Sequence, residues 1–350
     1  GLWGASKRAN RLRRPWWRRC SLRQATMGAA LAACNEGIRK MLMPAEGSCT
    51  RDWEGFGDPE EGSLLMLGQV KLTTFSSDFT RTFFEEGLGA PSCDPVQVGT
   101  TQLRFQSADE KPASTWPGQL YIWVENIQDT WKKSRELSQR SGTEIVESVV
   151  CCHDERYCDA LVLRDPGSAN VLVVNQAPKG YAKALRDALG SQKSSAPSNL
   201  VCLMDLLCRV PVGTSVKLAA FYERFLSAKV MQGKDGYRLR FASGEVLRQT
   251  FTFQDDESAN EAWLPAQFPS EVCFYLESDA KFRIAFAKLS NAKLVTGDWS
   301  EAERAREFRI SHCIDESGSV ILDLPHLIRA PGSECPCMAD QAAPDTAMGG

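Results

Sequence analysis

Histidine is scarce in this chain: three residues in 350, His153, His312 and His326. Sites built on several histidines are therefore close to excluded. No run of about 18 apolar residues occurs, so no membrane span is expected. Neither sign of charge dominates either. The balance of 41 Lys and Arg against 44 Asp and Glu leaves −3, which supplies no general electrostatic reason to bind nucleic acid or a membrane surface. Disulfide staples are unnecessary at this length, and an odd total of 13 cysteines reads as buried thiols of a reducing compartment.

Acid is missing from the start of the chain. Lys7, Arg8, Arg11, Arg13, Arg14, Arg18, Arg19 and Arg23 all precede Glu36, the first acidic residue. Such a segment resembles an organelle transit peptide, with a chloroplast or mitochondrial location implied. Two other readings stay open. Translation from Met27 would make residues 1–26 an artefact and the protein cytoplasmic, and Trp16-Trp17-Arg18-Arg19 also suits a membrane-surface or nucleic-acid arm. Residues 1–63 as a whole are expected to be a disordered or targeting extension.

What the chain does contain is a repeat. Phe83-Phe84-Glu85-Glu86-Gly87-Leu88-Gly89-Ala90 returns as Phe221-Tyr222-Glu223-Arg224-Phe225-Leu226-Ser227-Ala228. Ile122-Trp123-Val124-Glu125-Asn126 is echoed by Phe274-Tyr275-Leu276-Glu277-Ser278. Asp165-Pro166-Gly167 before Val171–Val174 is echoed by Asp315–Gly318 before Ile321–Leu324. Three echoes in one order indicate two copies of one module. Alternating strands, N-cap chemistry in Ser76-Ser77-Asp78 before a helix at Phe79–Leu88, and a cap at Asn126 or Asp129 place a strand, a helix and further strands in each. The expected boundaries are 64–178 for the first module, 179–198 for a connector, 199–330 for the second module and 331–350 for a disordered tail.

Strand, helix and three strands, given twice, resembles the vicinal oxygen chelate superfamily, whose best-known member is lactoylglutathione lyase (glyoxalase I). The resemblance covers roughly residues 64–330. It rests on the aromatic-pair-Glu-x-x-Leu helix end, the Asp-Pro-Gly turn and the duplication. It implies an α+β fold in which two βαβββ modules form an incomplete barrel with a shared cleft. It also implies a divalent metal (Mg, Mn, Ni or Zn), a small oxygen-rich substrate and a metal-assisted lyase or isomerase step, and it allows a homodimer.

Carried over by position, the resemblance implies metal ligands at Gln69, Asp205 and Asp323. The fourth position falls on Val173, which cannot ligate. Asp205 and Asp323 are the implied proton-transferring carboxylates. All-oxygen ligation suits Mg²⁺ or Mn²⁺, and the two-His-one-carboxylate set of ring-cleaving dioxygenases cannot be made at these positions. Plainer readings stand beside these. Gln69 is equally a hydrogen-bonded barrel residue. Asp205, inside the apolar run Val201–Cys208, needs a partner that Arg209 could supply. Asp323 can pair with Arg329 or Arg309. Gln102 and Gln249 are expected to line the cleft. Cys151, Cys152, His153 and Cys158 have metal-capable chemistry, but adjacent cysteines on a strand face opposite sides. Cys335-Pro336-Cys337 is a redox candidate. The alternative function, from a different class, is metal-free sequestration of a small molecule in the same cleft.

Overall fold

The computed structural model describes residues 64–107, 116–150, 160–188, 198–241, 249–259, 270–331 and 333. The Cys151–Cys158 cluster, Cys335 and Cys337, and the N-terminal extension lie outside the described residues.

The first module opens on β1 (Leu64–Thr74), in which Val70 and Leu72 are buried on one face and Gln69 and Lys71 alternate to the other. Ser76 caps α1 (Ser77–Thr82), its hydroxyl accepting from the Phe79 amide at 3.3 Å. The helix runs on into a π-helical turn over Phe83–Gly87. Strands β2 (Val96–Val98) and β3 (Thr101–Ser107) complete this first unit. A second strand–helix unit follows directly: β4 (Gly118–Val124), α2 (Ile127–Ser141), β5 (Val146–Val150), β6 (Ala160–Arg164) and β7 (Val171–Gln176). Asn126 caps α2, and Gly142, at φ 69°, ends it in the left-handed conformation that glycine adopts without strain. The connector carries α3 (Tyr181–Ala188).

The second half repeats the plan. Its first unit is β8 (Leu200–Val210), α4 (Thr214–Leu226), β9 (Lys229–Gln232), β10 (Gly236–Arg240) and β11 (Thr250–Asp255). Its second is β12 (Glu271–Leu276), α5 (Asp279–Asn291), β13 (Val295–Thr296), α6 (Trp299–Ala305), β14 (Glu307–Ile310), a small hairpin of β15 (Cys313–Ile314) and β16 (Val320–Leu322), and β17 (His326–Arg329). The duplicated α+β reading holds, and it extends one level further, because each half contains two strand–helix units.

The units pair across the halves. A seven-stranded sheet runs β13-β14-β17-β12-β1-β3-β2, and an eight-stranded sheet runs β5-β6-β7-β4-β8-β11-β10-β9. In every unit the first strand lies parallel to the last. Antiparallel β1–β12 and β4–β8 contacts then join the units. Both sheets are thus shared between the halves, and neither closes into a barrel. The inward rows of both sheets and the helices bury one continuous core, including Val70, Leu103, Phe274, Leu120, Leu206 and Phe251. The repeated aromatic pairs are its centre. Phe83–Phe84 and Phe221–Tyr222 both stack edge to face with ring centroids 5.4 Å apart.

The Asp-Pro-Gly turn is a clamp between units. Buried Asp165 accepts from the Thr80 hydroxyl at 2.8 Å, the Gly167 amide at 2.9 Å and the Ser168 hydroxyl. The Gly167 carbonyl in turn accepts from Phe75 and Ser76 at the start of α1. The echoing turn at Asp315 meets Lys217 of α4 at 3.4 Å, so both copies dock on the helix of the preceding unit.

Where β4 enters the eight-stranded sheet, a Cβ on Gly118 would stand 1.9 Å from the Leu207 carbonyl oxygen. That atom is backbone and also accepts from Trp116 Nε1 at 2.7 Å, so it cannot give way cheaply. Gly118→Ala should therefore cost about 1–3 kcal/mol by overpacking. Urea unfolding checks this. Gly233→Ala, whose Cβ would meet nothing closer than 3.5 Å, serves as the control with little expected change.

Candidate functional site

The expected ligand residues do not come together. Gln69 lies on β1 of the seven-stranded sheet, opposite Gln102 and Cys273. Asp205 lies on β8 of the eight-stranded sheet, opposite Thr250 and Tyr121. The two are equivalent within their units, each facing the closing strand of its own unit at Gln102 and Thr250. Each is turned away from the core by strand alternation, because Val70 and Leu206 belong to the core. Gln69 and Asp205 consequently sit on different sheets with the shared core between them.

Asp323 belongs to neither sheet, following β16 and preceding β17. Its equivalence to Val173 fails for a topological reason. The β15–β16 hairpin is inserted before the closing strand, so the residue in register with Cys273 is Leu327, just as Val173 is in register with Tyr121. The cations expected to pair with Asp323 are engaged elsewhere. Arg329 binds Glu307 and the Tyr275 hydroxyl, each at 3.0 Å, and Arg309 binds Glu271.

The four residues at equivalent positions are Tyr121, Val173, Asp205 and Thr250 on one sheet, and Gln69, Gln102, Cys273 and Leu327 on the other. The first set has a single carboxylate. The second has none, and burial pushes its thiol, Cys273, up to about 12, so it is not a ready thiolate. Among the described residues no group of three or more His, Cys, Asp or Glu could hold a metal ion. These donors do not fit the divalent metal that the resemblance implied.

What surrounds Asp205 instead is a hydroxyl cradle. The Thr250 hydroxyl lies 2.8 Å from Oδ1, and the Thr252 hydroxyl 2.9 and 2.8 Å from the two carboxylate oxygens. Asp205 is half-buried by surface area, yet its carboxylate lies deep enough that burial raises its pKa above the usual range. The nearby Arg238 charge and the threonine hydroxyls work against that rise. Arg209, the partner expected from sequence, faces Asp256 at 3.7 Å. The alternation Thr250-Phe251-Thr252-Phe253 was the available sign that two hydroxyls share one face.

Around this carboxylate the outer face grades from polar to apolar. Tyr121, opposite Asp205, donates to Gln119 at 2.9 Å. Beyond it lie buried Val173 and Val162, in register on β7 and β6. Trp123 meets Tyr181 of α3 edge to face at 4.8 Å. Gln249 does not take the cleft-lining role expected for it. It is buried, accepts from the Leu67 amide at 3.3 Å and donates to Thr101 Oγ1 at 2.6 Å and the Leu203 carbonyl at 3.1 Å, tying β1, β3 and β8 together.

First strand pairs with last in every unit, and both sheets are shared between the halves. Similar solved structures include a Bacillus subtilis protein provisionally named a dioxygenase, at 10% identity and TM-score 0.48, covering 78% of this chain and 87% of that one. Maize glyoxalase I is similar at 10% identity and TM-score 0.47, covering 75% and 92%. The CppA protein of Streptococcus pneumoniae reaches 11% and 0.39, covering 77% and 98%. No family model and no curated protein matches the chain. No helix among the described residues is long and apolar enough to cross a membrane.

Proposed function

We propose that this glyoxalase-like chain binds a small organic molecule on the outer face of its eight-stranded sheet, without a catalytic metal. The observation that carries this is the environment of Asp205. Both carboxylate oxygens are served by Thr250 and Thr252 hydroxyls, and the residue in register with Tyr121 on the closing strand is Val173. A carboxylate already satisfied by hydroxyls gains little from a cation, and a valine offers no donor at all. The graded face around it, hydroxyl and aromatic to aliphatic, has the character of a small-molecule site: mostly apolar, with a few placed polar groups.

The competing reading is a metal-assisted lyase or isomerase with Asp205 moving a proton. The upward pKa of Asp205 favours it. One experiment separates the two. The purified chain is incubated with Mn²⁺ or Ni²⁺, desalted, analysed for bound metal and assayed for lactoylglutathione lyase activity. Substoichiometric metal, unchanged in Asp205→Asn, and no turnover are the expected results. A full equivalent of metal that Asp205→Asn abolishes would overturn the proposal.

A further inference from the structure

One short helix lies on the outer side of the eight-stranded sheet, away from the core. α3 (Tyr181–Ala188) follows β7 and is entered through Gly180 at φ 82°. The Ala177 amide donates to the Val124 carbonyl at 2.8 Å and the Tyr181 amide to the Pro178 carbonyl at 3.0 Å, which fixes where the helix starts. Along β4, Leu120, Ile122 and Val124 belong to the shared core, so Tyr121 and Trp123 face outward. The Tyr181 ring meets Trp123 edge to face at 4.8 Å, which puts α3 on that outward side. Ala182 and Leu185 of the helix are buried without joining the shared core.

Tyr181 reaches a second outward residue. Cys202 of β8 stands opposite Trp123 in the antiparallel register, and its buried thiol has the Tyr181 hydroxyl and, at 3.3 Å, Met204 Sδ as neighbours. Trp123 lies two residues, about 7 Å, along β4 from Tyr121, which faces Asp205. The helix therefore bounds the outer face at the Trp123–Cys202 row.

The attachment of α3 is modest. A helix of 8 residues is not stable by itself in water, so it depends on what it touches. Lys183, Ala184, Arg186 and Asp187 are exposed. The ion pair of Arg186 with Glu125, at 3.4 Å, joins two half-exposed side chains, and such pairs contribute about 0–1 kcal/mol. A segment with few buried apolar side chains opens at lower free energy than the whole fold.

We propose that α3 is a gate on the outer-face site, lifting off Trp123 and Cys202 while both sheets stay folded, with Tyr181 as its latch. This rests on the outer-face reading above and adds how a ligand gains entry to the Trp123–Cys202 row.

Cys202 reports the motion without any ligand, so failure of the gate is distinguishable from failure of the binding site. Native protein is treated with iodoacetamide, and the labelling rate of each cysteine is read by peptide mass spectrometry. Cys208 and Cys313 are buried in the shared core and report global unfolding. Cys202 should react at least about a hundredfold faster than either, because local opening costs less than global unfolding. Tyr181→Ala should speed Cys202 by a further factor of about ten or more and change Cys208 and Cys313 by less than about threefold. Tyr181→Phe, which keeps the ring on Trp123, should fall between the wild type and Tyr181→Ala. Equal wild-type rates at Cys202, Cys208 and Cys313 would overturn the gate. A Tyr181→Ala effect that is shared equally by all three, or absent from Cys202, would overturn it as well.

Discussion

Tyr222→Ala should destabilise the protein by about 4 kcal/mol, near the top of the range for truncating a large aromatic in a core. Tyr222 is fully buried and belongs to the second copy of the repeated aromatic pair. Its ring stacks on Phe253 at 5.4 Å and meets Phe251 and Phe274 edge to face at 6.3 and 6.1 Å. Those phenylalanines come from strands of both sheets, so the cavity would open where the two sheets and α4 meet. The hydroxyl adds a second effect. It is 2.5 Å from His326 Nε2 and 3.9 Å from Cys313 Sγ, all in the core. Tyr222→Phe keeps the packing and orphans the imidazole, so it should cost about 1–3 kcal/mol. Urea unfolding of both variants checks the order. A Tyr222→Ala loss no larger than that of Tyr222→Phe would mean that the ring is not a keystone.

His326 should make the protein acid-sensitive above the range where carboxylates normally titrate. Its imidazole is fully buried, Nδ1 has no hydrogen-bond partner, and burial, only partly offset by the Leu324 backbone, pushes its pKa from 6.5 down to about 4. The folded value is the lower one. Above pH 6.5 the group is neutral in both states and costs nothing. As pH falls below 6.5 the unfolded chain takes up a proton that the folded chain refuses. Stability then declines until about pH 4, by about 3 kcal/mol in all. Asp165 and Asp205 act in the opposite sense, because burial raises their pKa values and favours the folded state as they protonate. The groups facing His326 itself are Tyr222, whose ionisation burial drives well above 10, and through it Cys313, whose thiol burial also raises. Neither titrates in this window. The contribution is isolated by subtraction: the unfolding free energy of the wild type minus that of His326→Gln should fall steadily from pH 6.5 to 4. A difference flat across that range would remove His326 as the cause.

Much of the local structure was legible from residues alone. Ser76 and Asn126 cap their helices because their side-chain oxygens meet amides three residues away, a contact that needs no tertiary context. The aromatic pairs marked the duplication, and the structure buries both with the same geometry. The Asp-Pro-Gly turn was readable as a turn, though its partner Thr80, 85 residues away, was not.

Strand register decided the rest. A strand's side chains change face at every residue, so an uncertain insertion moves a putted-in-place ligand to the wrong row or off the sheet. The β15–β16 hairpin did this to Asp323, and Leu327 took its place. Pairing across the halves, β1 with β12 and β4 with β8, put Gln69 and Asp205 on separate sheets although their sequence neighbourhoods match. The partners of Asp205 lie 45 and 47 residues downstream on β11. The sequence by itself determined that this chain is a duplicated α+β protein with too little histidine for a multi-histidine centre. Only the tertiary structure decided which side chains share a face, because that depends on hydrogen-bonded register between distant strands, which no local pattern encodes.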